Sequence, residues 1–581
     1  MYTVSALHSS LPSFQDTGVS VRKRVIKILK DICLECPDFA KIPEICVKMI
    51  RRINDEEGIK KLVQEVFQNM WFTPVRDRPH VDEESLLRKV NNITEVVVAC
   101  RDTGLDWFEQ LLHSMFKPRE DKDDVTKIVS EPPKSLVTAC KQIVDCLVRH
   151  ILVLEEDGHN NAAGPQPRTT TQRILACHKT LYLFAKIRPQ LLVDHAITLQ
   201  PYLAWRCQTQ VDYNMIGVVA RTLELVVPLM EHPSETFLAQ LEEDAVKLIL
   251  QHDRTVITSC LALLGSIVNT VTKNYRLIKD CFNKYHTFIV DYKRYSEENP
   301  QCPKLETRKP LFRRSLYTIG LLLKHFNLKD ETVRCGLQED ITNQVFDTLM
   351  YFMDQPDSNI RLYTLQALGF VCIRHYELMM GTRLKQLYHT LLLDPSVNTT
   401  LRIQTLQNIE SYLQEEEVRM IKQDQEWAKQ KTRENLKEMC DVQSGMASAI
   451  IQVYLKQVLE CVVTGCMGVR HSALRVIQLV LAQGLVHPVQ IVPYLVCMST
   501  DTEDMIAHSA DKQLQDIEKK YPGFIGMKAM QGFRLSYRLH SLIQPSMPTR
   551  GFRTKEGEHP GALNGFLYSV MRSTKQHPLW R

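Results

Sequence analysis

Arginine recurs in one fixed frame along this chain, and that recurrence constrains the fold more than any other feature. An acidic or polar turn is followed by an apolar-Arg pair and then by Ala and Leu at helical spacing. Asp16 precedes Val21-Arg22, Asp357 precedes Ile360-Arg361, and Asp394 precedes Leu401-Arg402. Val469-Arg470 continues the series, and His508 takes the arginine place in DTEDMIAHSADKQLQDI. Arg361 to Arg402 is 41 residues and Arg470 to His508 is 38, whereas Arg402 to Arg470 is 68. A period near 40 with two helices per unit is the signature of HEAT and armadillo arrays. Each helix pair in such an array buries its apolar face only by stacking on its neighbours.

The intervening sequence supports an all-α reading. In GIKKLVQEVFQNMWF the apolar residues Ile59, Leu62, Val63, Val66, Phe67, Met70 and Trp71 fall on one helical stripe. Similar stripes recur throughout, and convincing alternating strands are absent. At 581 residues the chain exceeds what one core can serve, so a repeat array spanning 1–581 is expected. The stretches RPQLLVDHAITLQPYL (188–203) and HPVQIVPYL (487–495) share a Pro start and a Pro-Tyr-Leu end, and read as partner helices.

The long 402–470 interval is assigned to an inserted charged helix near 411–440. EEEVRMIKQDQEWAKQKTRENLKEM carries only a thin apolar seam through Val418, Ile421 and Trp427. Segments 117–134, 155–170 and 296–310 read as loops between repeats, and 441–581 as C-terminal repeats.

Seventeen cysteines without pattern, and an opening MYTVSALHSS that lacks the regions of a secretion signal, lead to the expectation of a reduced cytosolic or nuclear protein. No apolar run is expected to span a membrane. The sole CxxC, Cys33 and Cys36, lacks a second half for zinc and a strand for thioredoxin-like chemistry, so it reads as structural. No HExxH, phosphate-binding loop or nucleophile elbow is present. The expectation is therefore no catalytic residue, no metal and no cofactor.

Basic stretches are the remaining candidates. The net charge of +5 is small, so any nucleic-acid footprint must be local. From Lys512 to Arg553, Lys512, Lys519, Lys520, Lys528, Arg534, Arg538, Arg550 and Arg553 face only Asp516 and Glu518. Tyr521, Phe524, Phe533, Tyr537 and Phe552 are interleaved with them. Such a surface can neutralise duplex phosphates, or it can be a solvated face over core aromatics. In the N-terminal region, Lys48, Arg51 and Arg52 are expected to share a helix face, and Lys60 and Lys61 to open the next helix.

On a helical wheel of GVSVRKRVIKIL, Val21, Val25, Ile28, Leu29 and Ile32 form the expected buried stripe. Arg22 shares the frame of Arg361, Arg402 and Arg470, and all four read as structural, with Arg22 pairing to an acidic turn of a neighbouring repeat. Lys23, Lys27 and Lys30 form an outward row that is a candidate for DNA.

VRKRVIKILKDICLECPDF, VKMIRRINDEEGIKKLV, RDTGLDWFEQLL, LVVPLMEHPSETFL, GLVHPVQIVPYL and RGFR resemble the C-terminal HEAT-repeat half of the Nipped-B family of cohesin loaders. The resemblance implies a hook-shaped, nuclear, chromatin-associated solenoid without an active site. Such a protein binds double-stranded DNA, the ATPase heads and the kleisin of cohesin, and stimulates the partner's ATPase as the ring is loaded. It also implies a tetratricopeptide adaptor subunit, whose binding segment is expected to be absent here. The contrasting reading is a HEAT adaptor for proteins alone, as in transport or phosphatase scaffolds.

Overall fold

A computed structural model describes residues 18–36, 39–75, 81–117, 119–120, 128–129, 132–160, 167–299, 303–429, 435–545, 550–553 and 561–573. Tertiary contacts group the chain into two units, 1–274 and 275–581, and both are helical.

In the first unit the longer helices are α1 (Val19–Glu35), α2 (Ile42–Ile50), α3 (Glu57–Met70), α4 (Val81–Phe116) and α5 (Lys134–Asn160). They are followed by α6 (Pro167–Ile187), α7 (Gln210–Val226), α8 (Glu235–Gln251) and α9 (Arg254–Ile267). Helix α1 packs on α3, α2 on α4, α4 on α6, α6 on α7 and α7 on α9. Trp71, at the end of α3, is buried among Phe67, Phe72 and Phe108, as the apolar stripe of α3 requires. The segment Arg254–Thr272 is long and apolar enough to cross a membrane by composition, contrary to expectation. Its apolar residues are explained by packing on α7 and α8, with Ile257, Cys260, Leu261 and Leu264 in the core.

The second unit contains α10 (Tyr275–Glu298), α11 (Pro303–His325), α12 (Ile341–Met353), α13 (Ser358–Arg374), α14 (Thr382–Leu393) and α15 (Thr399–Lys429). It continues through α16 (Asn435–Glu460), α17 (Met467–Ala482), α18 (Val492–Ser499), α19 (Asp504–Lys520), α20 (Phe524–Ile543) and α21 (Gly565–Ser573). Helices α11, α13, α15, α17 and α19 pack each on the next, and α14 packs on α16. Contact between every second helix is the arrangement of an α-solenoid. The recurring frame marks this row: Arg361 lies in α13, Arg402 in α15, Arg470 in α17 and His508 in α19.

Close approach along the row relies on glycine. A Cβ on Gly369 of α13 would stand 2.3 Å from Oδ1 of Asn408. Without it, the buried Asn408 amide reaches in from α15 and donates to the Leu365 carbonyl (2.8 Å) and the Tyr388 hydroxyl (3.0 Å). A buried amide satisfied by partners on two other helices fixes their spacing.

Several expectations need correction. The charged stretch near 411–440 is not an insertion at its start, because 411–429 continues α15 without a break. Tyr412, Leu413 and Glu416 are buried, Glu415 pairs with Lys324 (2.6 Å), and Val418 and Ile421 face outward. The side chain of Trp427 lies outside the described residues. Segment 296–310 is mostly helix: Pro303 starts α11, where a missing N–H costs nothing. Pro310 is carried inside α11, which buries Phe312, Leu316 and Ile319 beyond it. Only 161–166 separates α5 from α6, and that hexapeptide and most of 117–134 lie outside the described residues. The prolines of 188–203 and 487–495 give mainly short 3₁₀ turns in place of full partner helices. Two antiparallel pairs of two residues each, Arg119–Glu120 with Ile128–Val129 and Phe552–Arg553 with Gly561–Ala562, are the strands among the described residues.

Candidate functional site

The frame arginines occupy graded environments. Arg22 of α1 reaches Asp55 (3.2 Å) and Glu56 (3.3 Å) in the acidic turn before α3, with its side chain 11% exposed. The expected pairing to a neighbouring acidic turn is thus present. Arg361 is half-buried in α13. Arg402 donates to the Asp394 carbonyl at 2.6 Å. Arg470 is sealed in the core: its Nε and Nη2 form a fork onto both Asp501 carboxylate oxygens (2.7 and 3.1 Å). Nη1 of Arg470 also donates to the carbonyls of Thr464 and Gly465. His508 departs from the frame, being exposed and bonded to its own helix at the Asp504 carbonyl.

Around Arg22 the buried stripe of α1 is Val25, Ile26, Leu29, Ile32 and Cys33, not the expected set, and Val21 and Ile28 face outward. The wheel contains two apolar arcs, and the position of α3 selects the one that includes Ile26. The expected outward lysine row divides accordingly. Lys23 lies across the start of α3, with Nζ 2.7 Å from where a Cβ on Gly58 would stand. Lys27 is exposed and Lys30 half-buried. Lys48 belongs to α2, but Arg51 and Arg52 lie in the following 3₁₀ turn, Arg51–Asn54, so the shared helix face does not form. Arg51 stacks on Trp107 (4.8 Å), and Arg52 pairs with Asp55 (3.5 Å). Lys61 pairs with Glu57 (3.8 Å), while Lys60 is half-buried. Cys33 is buried against Cys46 of α2, whose thiol hydrogen-bonds to it and lowers its pKa, and Cys36 stands half-buried at the end of α1.

The C-terminal cations are presented differently. Lys512, Lys519 and Lys520 of α19, Arg534 of α20, and Arg550 are exposed, and Lys528 is half-buried. Among the described residues no carboxylate lies within ion-pair distance of these six. Arg538 makes a loose pair with Glu460 (3.4 Å). Arg553, a candidate for ligand contact by sequence, instead donates to the Thr500 and Asp501 carbonyls (2.8 and 2.6 Å). It therefore fastens the RGFR strand onto the turn that Arg470 holds from the other side.

The interleaved aromatics are not core: Tyr521, Tyr537 and Phe552 are exposed, and Phe524 and Phe533 are half-buried. Tyr521 and Phe524 stack with planes 3° apart, and His487 approaches both. Beside them a cleft of 640 Å³ is lined by Val486, His487, Pro488, Asp516, Lys520 and Tyr521. Sequence spacing gave no sign of this cleft, because its walls come from segments about 30 residues apart. A second cavity, of 1010 Å³, opens beside Trp205 and Arg206 in the first unit. Its carboxylate, Asp212, caps α7 by accepting from the Gln208 and Thr209 N–H groups and from Trp205 Nε1. Among the described residues no group of three or more His, Cys, Asp or Glu is placed to hold a metal.

Residues 447–578, which include this basic region, match the family described as sister chromatid cohesion C-terminus. Over 97% of its length the chain is 50% identical to the Nipped-B-like proteins of Mus musculus and Homo sapiens. It belongs to the Nipped-B family. This Nipped-B-family chain is also 44% identical to the Nipped-B protein of Drosophila melanogaster over 96% of its length, covering 27% of that protein. It spans about a fifth of the length of the mouse and human relatives. Its fold matches the C-terminal fragment of the Chaetomium thermophilum cohesin loader SCC2 with a TM-score of 0.73 at 18% identity. That likeness covers 99% of this chain and 39% of the fragment.

Proposed function

We propose that this Nipped-B-family chain is the C-terminal scaffold of a cohesin loader, acting in the nucleus on chromatin. It holds double-stranded DNA and the ATPase heads and kleisin of cohesin, and promotes loading of the ring. It carries out no chemistry itself: its effect on rate is exerted on the partner's ATP hydrolysis, by orienting DNA and heads. The observation that carries this reading is the exposed basic surface of α19, continued by Lys528 at the start of α20, where unpaired lysines stand beside the exposed Tyr521. Lysines free of carboxylate partners release counterions from DNA phosphates on binding, which gives affinity without base sequence. The Nipped-B relationship supports cohesin as the protein partner.

A pull-down of purified cohesin heads and kleisin, with and without a duplex, tests it. The reading expects capture of both subunits and a rise in capture and in ATP hydrolysis when DNA is added. Capture that ignores DNA, with no duplex binding at physiological salt, would instead indicate a protein-only adaptor.

A further inference from the structure

Among the described residues, helix α20 presents an uncovered seam. Its buried face, Ile525, Ala529, Gly532, Ser536 and Leu539, is held against α18, where a Cβ on Gly532 would stand 2.5 Å from Val496. The opposite face carries Met527, Met530, Arg534, Tyr537 and Ser541, spaced 3, 4, 3 and 4 residues apart. That is the a/d spacing by which one helix packs along another. Met527, Met530 and Tyr537 are 67%, 65% and 64% exposed. A solenoid helix facing only water would show polar side chains there.

We infer that this face is a docking seam for an acidic amphipathic α-helix of a protein partner. The spacing calls for a helix, since the seam is continuous over the five positions from Met527 to Ser541. Charge sets the sign of the partner: the exposed Arg534 lies on the seam and Arg538 beside it, and the sequence of α20 contains no Asp or Glu. Thioethers have no proton to offer a phosphate but adapt well to an apolar partner. Tyr and Arg are the side chains that most often anchor protein interfaces. The unpaired Lys519 and Lys520 lie on α19, and Lys528 lies on a different side of α20 from this seam, so DNA contact and helix docking use different residues. The inference stands whether or not cohesin is the partner.

The test uses the full chain and two synthetic three-heptad peptides with the same Leu seam, one flanked by Glu and one by Lys, followed by fluorescence anisotropy. The Glu-flanked peptide binds with a micromolar Kd, at least tenfold tighter than the Lys-flanked one. The Met527→Gln/Met530→Gln/Tyr537→Ala variant, which touches only exposed positions, keeps its circular dichroism and melting temperature. It weakens the Glu-flanked peptide at least tenfold and changes duplex affinity less than twofold. Equal binding of the two peptides, or no binding of either, overturns the inference. So does a variant that loses duplex affinity while retaining the peptide.

Discussion

The N-terminal and C-terminal basic regions look alike in composition and differ in availability. Residues 22–61 contain eleven cations, but the structure uses many of them. Arg22, Arg52 and Lys61 pair with carboxylates, Arg51 stacks on Trp107, and Lys23 covers Gly58. Among the described residues of 512–553, Arg538 pairs with Glu460, Arg553 holds two carbonyls and Arg550 lies over Phe552 (5.7 Å), while the lysines of α19 stand in solvent. A local charge excess therefore measures opportunity, and burial and pairing decide how much of it remains for a partner.

The same frame position separates the two regions most sharply. Removing one partner from a buried ion pair leaves an uncompensated charge, which costs about 3–5 kcal/mol. Arg470→Ala should destabilise the second unit by that amount in denaturant titration. Arg22→Ala, whose pair reaches solvent through Glu56, should cost about 1 kcal/mol. Equal costs would show that the environment of the frame arginine does not matter.

Acid should weaken the first unit through a different group. His178 of α6 is buried against Tyr202, and desolvation lowers its pKa to about 3. The unfolded state, with an ordinary histidine pKa, binds the extra proton first, so stability is present above pH ~6.5 and falls as pH drops below it. At pH 5 the loss is about 2 kcal/mol. Thermal melts of His178→Gln should lack this share of the acid sensitivity, and an unchanged pH profile would remove His178 from the account.

A smaller effect probes the covered lysine directly. Gly58→Ala should displace the flexible end of Lys23 and favour the helix, raising stability by about 0.5–1 kcal/mol at most. The freed lysine should then strengthen duplex binding slightly at low salt. A drop in melting temperature would mean that Lys23 cannot move aside.

Much of the fold was legible because a solenoid repeats its signals. The apolar-Arg frame by itself marks α13, α15 and α17, and the apolar stripe of α3 predicts burial as far as Trp71. Where two faces of a helix were both apolar, as with Ile26 and Ile28 of α1, only the neighbouring helix could decide. The polar run after Glu415 resembled an insertion because its docking depends on Lys324 and the Ile373 carbonyl, which are remote in sequence. The cations themselves were legible in the sequence, but their partners were not. Asp501, which holds Arg470, is 31 residues away, and Glu460, beside Arg538, is 78 residues away.

The central claim is that the exposed C-terminal lysines, and not the paired N-terminal cations, carry the electrostatic contact with DNA. A salt titration of duplex binding tests it most directly, using two triple charge reversals. Reversal at Lys519, Lys520 and Lys528 should lower the slope of log K against log salt by about one unit for each DNA phosphate that is no longer neutralised. Reversal at Lys23, Arg52 and Lys61 should leave the slope within about half a unit of the starting protein, because those side chains neutralise no phosphate. An unchanged slope in the C-terminal variant, or an equal fall in both, would contradict the account.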